Sequence, residues 1–256
     1  MIDSRAVISP QAQIAENVSV GPFTVIGADV VVGPGTWIGP HVVINGPTRI
    51  GADNKIFQFA SLGDAPQDKK YKGEPTLLTI GDRNVFRESV TVNRGTANDK
   101  GVTRIGNDNL LMAYSHVAHD CCLGDQIVMA NCATLGGHVE LGDWAIMGGL
   151  SAVHQHTKVG AHCFIAHNAM VTRDVPPYVM AVGRPAEPHS VNSEGLKRRG
   201  FTPDQILNIR RAYRVLYRSG LKLDAAMEQL EQAAATQVEI RPFVEFIKRS
   251  ERSIVR

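Results

Sequence analysis

The sequence predicts a parallel β-helix of six-residue repeats followed by a small α-helical subdomain. Three observations predict it. An aliphatic residue recurs every six positions without a miss at Ile8, Ile14, Val20, Ile26, Val32, Ile38, Ile44, Ile50, Ile56 and Leu62. The period resumes at Ile80, Phe86 and Val92, then runs twelve more times from Ile105 to Val171. The composition agrees: 24 glycines and only 6% aromatics suit tight turns around small side chains better than a bulky core.

Period six is neither the 3.6 of a helix nor the 2 of a half-buried strand. It fits short strands joined by tight turns, with three hexads to a triangular coil. Such coils stack at about 4.8 Å, the separation of paired strands, and a long fixed period marks a solenoid. The aliphatic residues then form ladders inside the prism. Gly21, Gly27, Gly33, Gly39, Gly51 and Gly63 each follow an aliphatic residue and are expected to serve turns that need positive φ. Ala12, Val18, Thr24, Val30, Thr36, Val42 and Thr48, four residues after an aliphatic, supply small or β-branched inner positions.

The phase breaks at 64–77 and again at 97–103, which reads as two insertions. The repeat ends at Val175-Pro176-Pro177, and a linker with Gly183-Arg184-Pro185-Ala186 follows. The β-helix is therefore expected over 1–186 and the helical subdomain over 187–256. Thr202-Pro203-Asp204 reads as a capped helix start, with proline at the first helical position. Ile206, Ile209, Tyr213 and Leu216 fall on one face of that helix, and Gly220 stops it. Asp224–Ala235 and Ile240–Arg249 are two further helices, the last despite Pro242. Helices this short need a surface to pack on.

Charge and cysteine usage narrow the function. The net charge of +2 advertises neither nucleic acid nor a membrane surface. It is unevenly spread: residues from Leu196 onward hold 13 Lys and Arg against 7 Asp and Glu, the rest 14 against 18. A basic tail on a mildly acidic body suits a docking surface for an acidic partner, or is simply a solvated helical face. Cys121, Cys122, Cys132 and Cys163 show no C-x-x-C spacing, as in a reducing compartment. The first residues carry no apolar signal region and no stretch approaches a membrane span, so a cytoplasmic protein is expected.

With 18 residues to a coil, His119, His138 and His154 fall near one edge of the prism on successive coils. His156 follows His138 by 18, and His116 lies three residues before His119. Such a cluster fits either of two chemistries. Three histidines on one edge suit Zn²⁺, as in a zinc hydratase. A neutral imidazole suits general-base work on a hydroxyl. Asp120, next to His119, is placed to hold the ring, and Gly137, one coil on, allows close backbone approach and an oxyanion donor.

These residues also carry a resemblance. The repeat is similar to that of the hexapeptide acyltransferases, which implies a left-handed parallel β-helix, an exception to the usual crossover hand. His116-Val-Ala-His119-Asp120, Gly136-Gly137-His138, Ala152-Val-His154-Gln155, Asn192-Ser-Glu194-Gly195-Leu-Lys-Arg198-Arg199 and Gln67-Asp68-Lys-Lys70-Tyr71 resemble the UDP-N-acetylglucosamine O-acyltransferase family along essentially the whole chain. The resemblance implies a homotrimer with clefts between subunits and the first step of lipid A synthesis. An (R)-3-hydroxyacyl chain would pass from acyl carrier protein to the 3-position of UDP-N-acetylglucosamine, with no cofactor and no metal. It makes His119 the base, Asp120 its orienter and Gly137 N–H the oxyanion donor. Asp68 and Lys70 would hold the sugar and phosphate region, and His116, His138, His154 and Gln155 would line the cleft. Asn192, Glu194, Arg198 and Arg199 would meet the nucleotide, where guanidinium grips a diphosphate in bidentate fashion. Three positions depart from the pattern. Asn93 replaces a usual histidine, Arg184 a common asparagine, and His167 a glycine that some relatives carry at a position limiting acyl length. The acceptor is left as a 3-hydroxyl or a 3-amino group. The rival within the fold class is the sister N-acyltransferase of the next sugar intermediate, which normally carries a separate N-terminal domain.

Overall fold

The computed structural model describes residues 1–97 and 99–256. Their strands, mostly two residues long, form three parallel faces of a triangular prism. Face one runs in nine strands from Val7–Ile8 to Met170–Val171, and face two in eight from Gln13–Ile14 to Lys158–Val159. Face three begins at Ser19–Val20 and ends in Glu187–Val191, ten strands in all. Register advances by one coil, as in His116 on Thr134 and Thr134 on Ala152. The prism is a left-handed β-helix.

The predicted ladder is the core. From Val20 to Val171 every hexad aliphatic is at most 4% exposed, while Ile8 and Ile14 at the open end are partly buried. Burying each such side chain contributes about 1.5–3 kcal/mol. Four residues on, Thr24 and Thr36 are also fully buried, and the Thr24 hydroxyl donates to Gly39 O at 2.7 Å.

The glycines serve a different purpose from the one the sequence suggested. Positive φ falls three residues after the aliphatic, mostly on non-glycine residues: Phe23, His41, Phe59, Tyr114, Asp120, His138, His156 and others, at φ +56° to +69°. Close approach of coils, rather than φ, calls for glycine directly after the aliphatic at Gly21, Gly33 and Gly51, whereas Gly27 has room for a Cβ. A Cβ on Gly21 would stand 2.6 Å from Pro40 N, and one on Gly33 2.6 Å from Gly51 C. Only Gly63 of the six has positive φ, at +76°.

Each coil has three corners. The first, between faces one and two, carries Asp120, His138 and His156 in one column; both interruptions of the repeat also leave the prism there, between Ser61–Asp64 and Leu77–Ile80 and between Thr91–Asn93 and Val102–Ile105. The second corner stacks Trp144, His162 and Tyr178. The third stacks Phe23, His41 and Phe59.

What the sequence read as a linker is a β-hairpin. Val179–Val182 continues face three beside Phe164–Ile165 and pairs antiparallel with Glu187–Val191. Helix α1, Ser193–Arg198, also went unforeseen; Asn192 caps it, accepting from Gly195 N. Helix α2, Pro203–Arg218, starts in a capping box between Thr202 and Gln205 and buries Ile206, Ile209, Tyr213 and Leu216. Helix α3 spans Leu223–Thr236, and a 3₁₀ turn at Val238–Ile240 leads into α4, Arg241–Arg249, whose Pro242 sits harmlessly in the first turn. The last helix folds back on face two, where Lys158 Nζ donates to Arg249 O at 3.3 Å. The chain end is then tied down: Asp174 N donates to Ser253 O, and Val255 N to Asp174 O at 2.8 Å. No described helix is long and apolar enough to cross a membrane.

Candidate active site

The first corner is where the chemistry collects. Val117 points into the prism, so the turn after it presents His119 outward and folds Asp120 back beneath it. The Asp120 side chain is fully buried, and the second interruption covers it. Thr96 gives it a backbone N–H at 3.0 Å to both oxygens and a hydroxyl at 2.6 Å; His119 Nδ1 lies 2.9 Å from Oδ2. Burial alone would push the Asp120 carboxyl up, but hydrogen bonds from His119 and Thr96 outweigh it and hold the group below its usual range. An ionised carboxylate only accepts, so Nδ1 of His119 carries the proton and Nε2 is left free.

His138 stands one coil above. Its ring meets His119 edge to face at 5.1 Å and lies flat on His156 at 4.1 Å. Gly137 is buried between these layers, and a Cβ there would come within 2.8 Å of His119 Nε2. The Gly137 N–H donates to no other described residue. His116 lies on face one, beside the corner, with Nδ1 2.7 Å from the Thr91 hydroxyl. Burial, then the nearby His119, lowers its pKa.

Of the two histidines that the sequence puts at the top of this edge, one joins the column. His156, 18 residues after His138, completes the stack; His154 turns aside, its Nδ1 3.0 Å from Gln155 O and 3.4 Å from Arg252 Nη1. The three-histidine zinc set is therefore not assembled. His119, His138 and Asp120 do come within 4.8 Å of one another, but the Asp120 oxygens already accept from Thr96 and His119.

The first interruption places Asp68 and Lys70 at the same corner, two coils below His119. Asp68 Oδ1 accepts the Lys70 N–H at 2.9 Å, and the Lys70 side chain is exposed. Arg94 braces this loop through Gly63 O at 2.8 Å and the Tyr71 hydroxyl at 2.9 Å. Asn93 donates to Ala65 O at 3.0 Å, while its buried Oδ1 has no described partner.

The α1 residues lie elsewhere on the chain, against the second corner. Asn192 is buried and engaged at both ends, capping α1 and donating to His162 O at 2.9 Å. Arg199 sits over Trp144 and 3.1 Å from His162 Nδ1, whose pKa burial and that guanidinium push down to about 4. Glu194 and Arg198 are exposed, with Glu194 paired to Lys197. His167 is exposed on the third corner, and Arg184 is bonded to Asn168 O there.

Known proteins are similar to this chain along its whole length. A curated acyl-[acyl-carrier-protein]–UDP-N-acetylglucosamine O-acyltransferase of Janthinobacterium sp. is 56% identical over 100% of this chain and 99% of its own. The chain belongs to the UDP-N-acetylglucosamine O-acyltransferase family. The Thiobacillus denitrificans enzyme of the same name is also 56% identical, over 100% of this chain and 99% of its own. A profile described as UDP N-acetylglucosamine O-acyltransferase, domain 2, matches residues 174–255. The solved UDP-N-acetylglucosamine acyltransferase of Francisella novicida superposes with a TM-score of 0.98 at 45% identity, over 100% of this chain and 94% of that one. As a member of this family the chain is an acyltransferase. Arg94, Thr96, Asp99 and Arg252 were missed by the sequence reading; the first three could have been sought where two interruptions fall at one corner, and Arg252 belongs to neither.

Proposed function

We propose that the chain moves an (R)-3-hydroxyacyl group from the thioester of acyl carrier protein to the 3-hydroxyl of UDP-N-acetylglucosamine, the first step of lipid A synthesis. The observation that carries this is the His119–Asp120 pair, 2.9 Å apart with the carboxylate buried. His119 Nε2 takes the proton of the sugar hydroxyl as its oxygen attacks the thioester carbonyl. Asp120 stabilises the resulting imidazolium, and Gly137 N–H donates to the oxyanion. Collapse breaks the carbon–sulfur bond, and the leaving thiolate takes the proton back from His119. Because the thioester is already activated, no cofactor enters. Asp68 and Lys70 hold the sugar and phosphate; His116, His138, His154 and Gln155 line the cleft.

The working unit in this reading is a homotrimer. On one chain the histidine column lies at the first corner and α1 against the second, so a site using both draws on two copies. An apolar stripe supports this: Phe23, Phe59, Tyr114 and Leu150 are 52–66% exposed along the third corner, with Val7 and Met170 exposed on face one. Asn192 then caps the helix that presents Glu194 and Arg198 to the nucleotide, and Arg199 anchors it. Four free cysteines fit the reducing cytoplasm. The test is turnover of UDP-N-acetylglucosamine with hydroxyacyl carrier proteins, read by mass spectrometry, alongside sedimentation. Absence of acylated sugar sinks the reaction; an active species of 27.8 kDa, one chain's mass, sinks the shared site.

A further inference from the structure

The second interruption of the repeat does more than cover Asp120. It emerges at the first corner one coil below His119, and Asp99 reaches up from it past Asp120. Asp99 Oδ2 lies 2.7 Å from His138 Nδ1. The remaining titratable groups around His138 are Asp120, whose Oδ2 is 3.9 Å from Nε2, and the rings of His119 and His156. The side chain of Lys100, the next residue after Asp99, is 3.9 Å from Glu140 on the face-two strand that follows His138.

We propose that Asp99 is a positioning residue for acyl transfer, acting through His138. Its carboxylate accepts the Nδ1 proton of His138, which fixes the tautomer and turns Nε2 toward the cleft beside His119. The corner then holds two carboxylate–imidazole pairs of different character. Asp120 is wholly buried and keeps its partner rigid, whereas the Asp99 side chain is 38% exposed and competes with water for His138. Without Asp99 the His138 ring is free to turn over, and Nε2 faces the acceptor only part of the time. The inference rests on the acyl-transfer reading given above.

A double-mutant cycle separates positioning from mere loop folding. Asp99→Ala is expected to lower kcat about tenfold, the scale of one charge-assisted hydrogen bond, with the acyl-donor KM within about twofold. Asp99→Glu should recover part of the loss. In a His138→Asn background, where asparagine tolerates the positive φ, Asp99→Ala should cost less than about twofold. Equal losses in both backgrounds, or none in either, overturn the proposal. A second arm needs no turnover: ¹⁵N spectra of histidine-labelled protein should show a His138 Nδ1 proton that Asp99→Ala removes. An unchanged His138 signal overturns the proposal even if the protein acylates no UDP-sugar, an outcome that would instead defeat the assigned reaction.

Discussion

Gly137 sits one coil above His119, and a Cβ built on it would stand 2.6 Å from His119 Cε1. The absence of a side chain at 137 is thus a condition for the His119 imidazole to occupy its position. The backbone φ there is not in the left-handed region, so alanine adds bulk without backbone strain. Gly137→Ala should lower kcat by about 10²-fold, the usual cost of moving a reacting group by an ångström. Thermal melting should shift little. A variant with normal turnover would show that the imidazole does not need this place.

His119→Ala should cost activity far more than stability. General-base catalysis is worth about 10²–10⁴-fold, whereas Asp120 loses one hydrogen bond, about 1 kcal/mol, and keeps those from Thr96. Steady-state kinetics and a melting curve on one preparation decide it. Chelators should leave the turnover of the parent protein unchanged.

His167→Gly should lengthen the preferred acyl chain. His167 is exposed on the third corner; in the trimer proposed above its imidazole would meet an acyl chain that begins at a neighbour's His119 and would close the end of its groove. Each methylene denied burial forfeits about 0.8 kcal/mol, so two shift preference roughly tenfold. The parent is expected to favour hydroxydecanoyl or hydroxydodecanoyl donors over hydroxymyristoyl ones. An identical chain-length profile in both proteins removes His167 from the groove.

Salt should weaken the acyl donor more than the sugar nucleotide. Arg210, Arg214 and Arg218, four apart on α2, line a groove of about 460 Å³ with His189. Carrier proteins are acidic, and at 0.1 M salt charges are screened beyond about 10 Å. The donor KM should therefore rise more steeply with ionic strength; parallel slopes would count against this surface.

Acid should loosen the second corner. His162 has a folded pKa of about 4, below its ordinary 6.5, so the folded state favours the neutral ring. The unfolded chain then binds the extra proton, and stability present above about pH 6.5 is lost as pH falls toward 4. His162→Phe should flatten denaturant midpoints across that window. If both proteins lose stability equally there, His162 is not the group responsible.

The prism was legible because its signal is redundant: a ladder of aliphatics from Ile8 to Val171 outvotes any local exception. The hairpin at Val179–Val191 was not, because Gly183-Arg184-Pro185 reads as ordinary turn chemistry and the antiparallel return has no period of its own. In the site, the pair His119–Asp120 was visible as neighbours in sequence. Thr96 and Asp99 were invisible, since they reach His119's corner across 24 and 39 residues and belong to no repeat. His154 and His156 show how little error the register allows: a shift of two residues takes a ring from the stack to the flank.

The tie between Asp174 and Val255 bears on how the molecule is made. The strands of each coil pair with those of the coil before, so the prism can assemble in the order of synthesis, N-terminal turns first. The top of the first-corner column is the exception. Its coil at Asp174 stays unstrapped until Ser253, Ile254 and Val255 dock on it, two of them buried on arrival. A partly folded chain can therefore hold a finished shaft and an open summit, and the docking of these three residues sets the moment at which the column is closed.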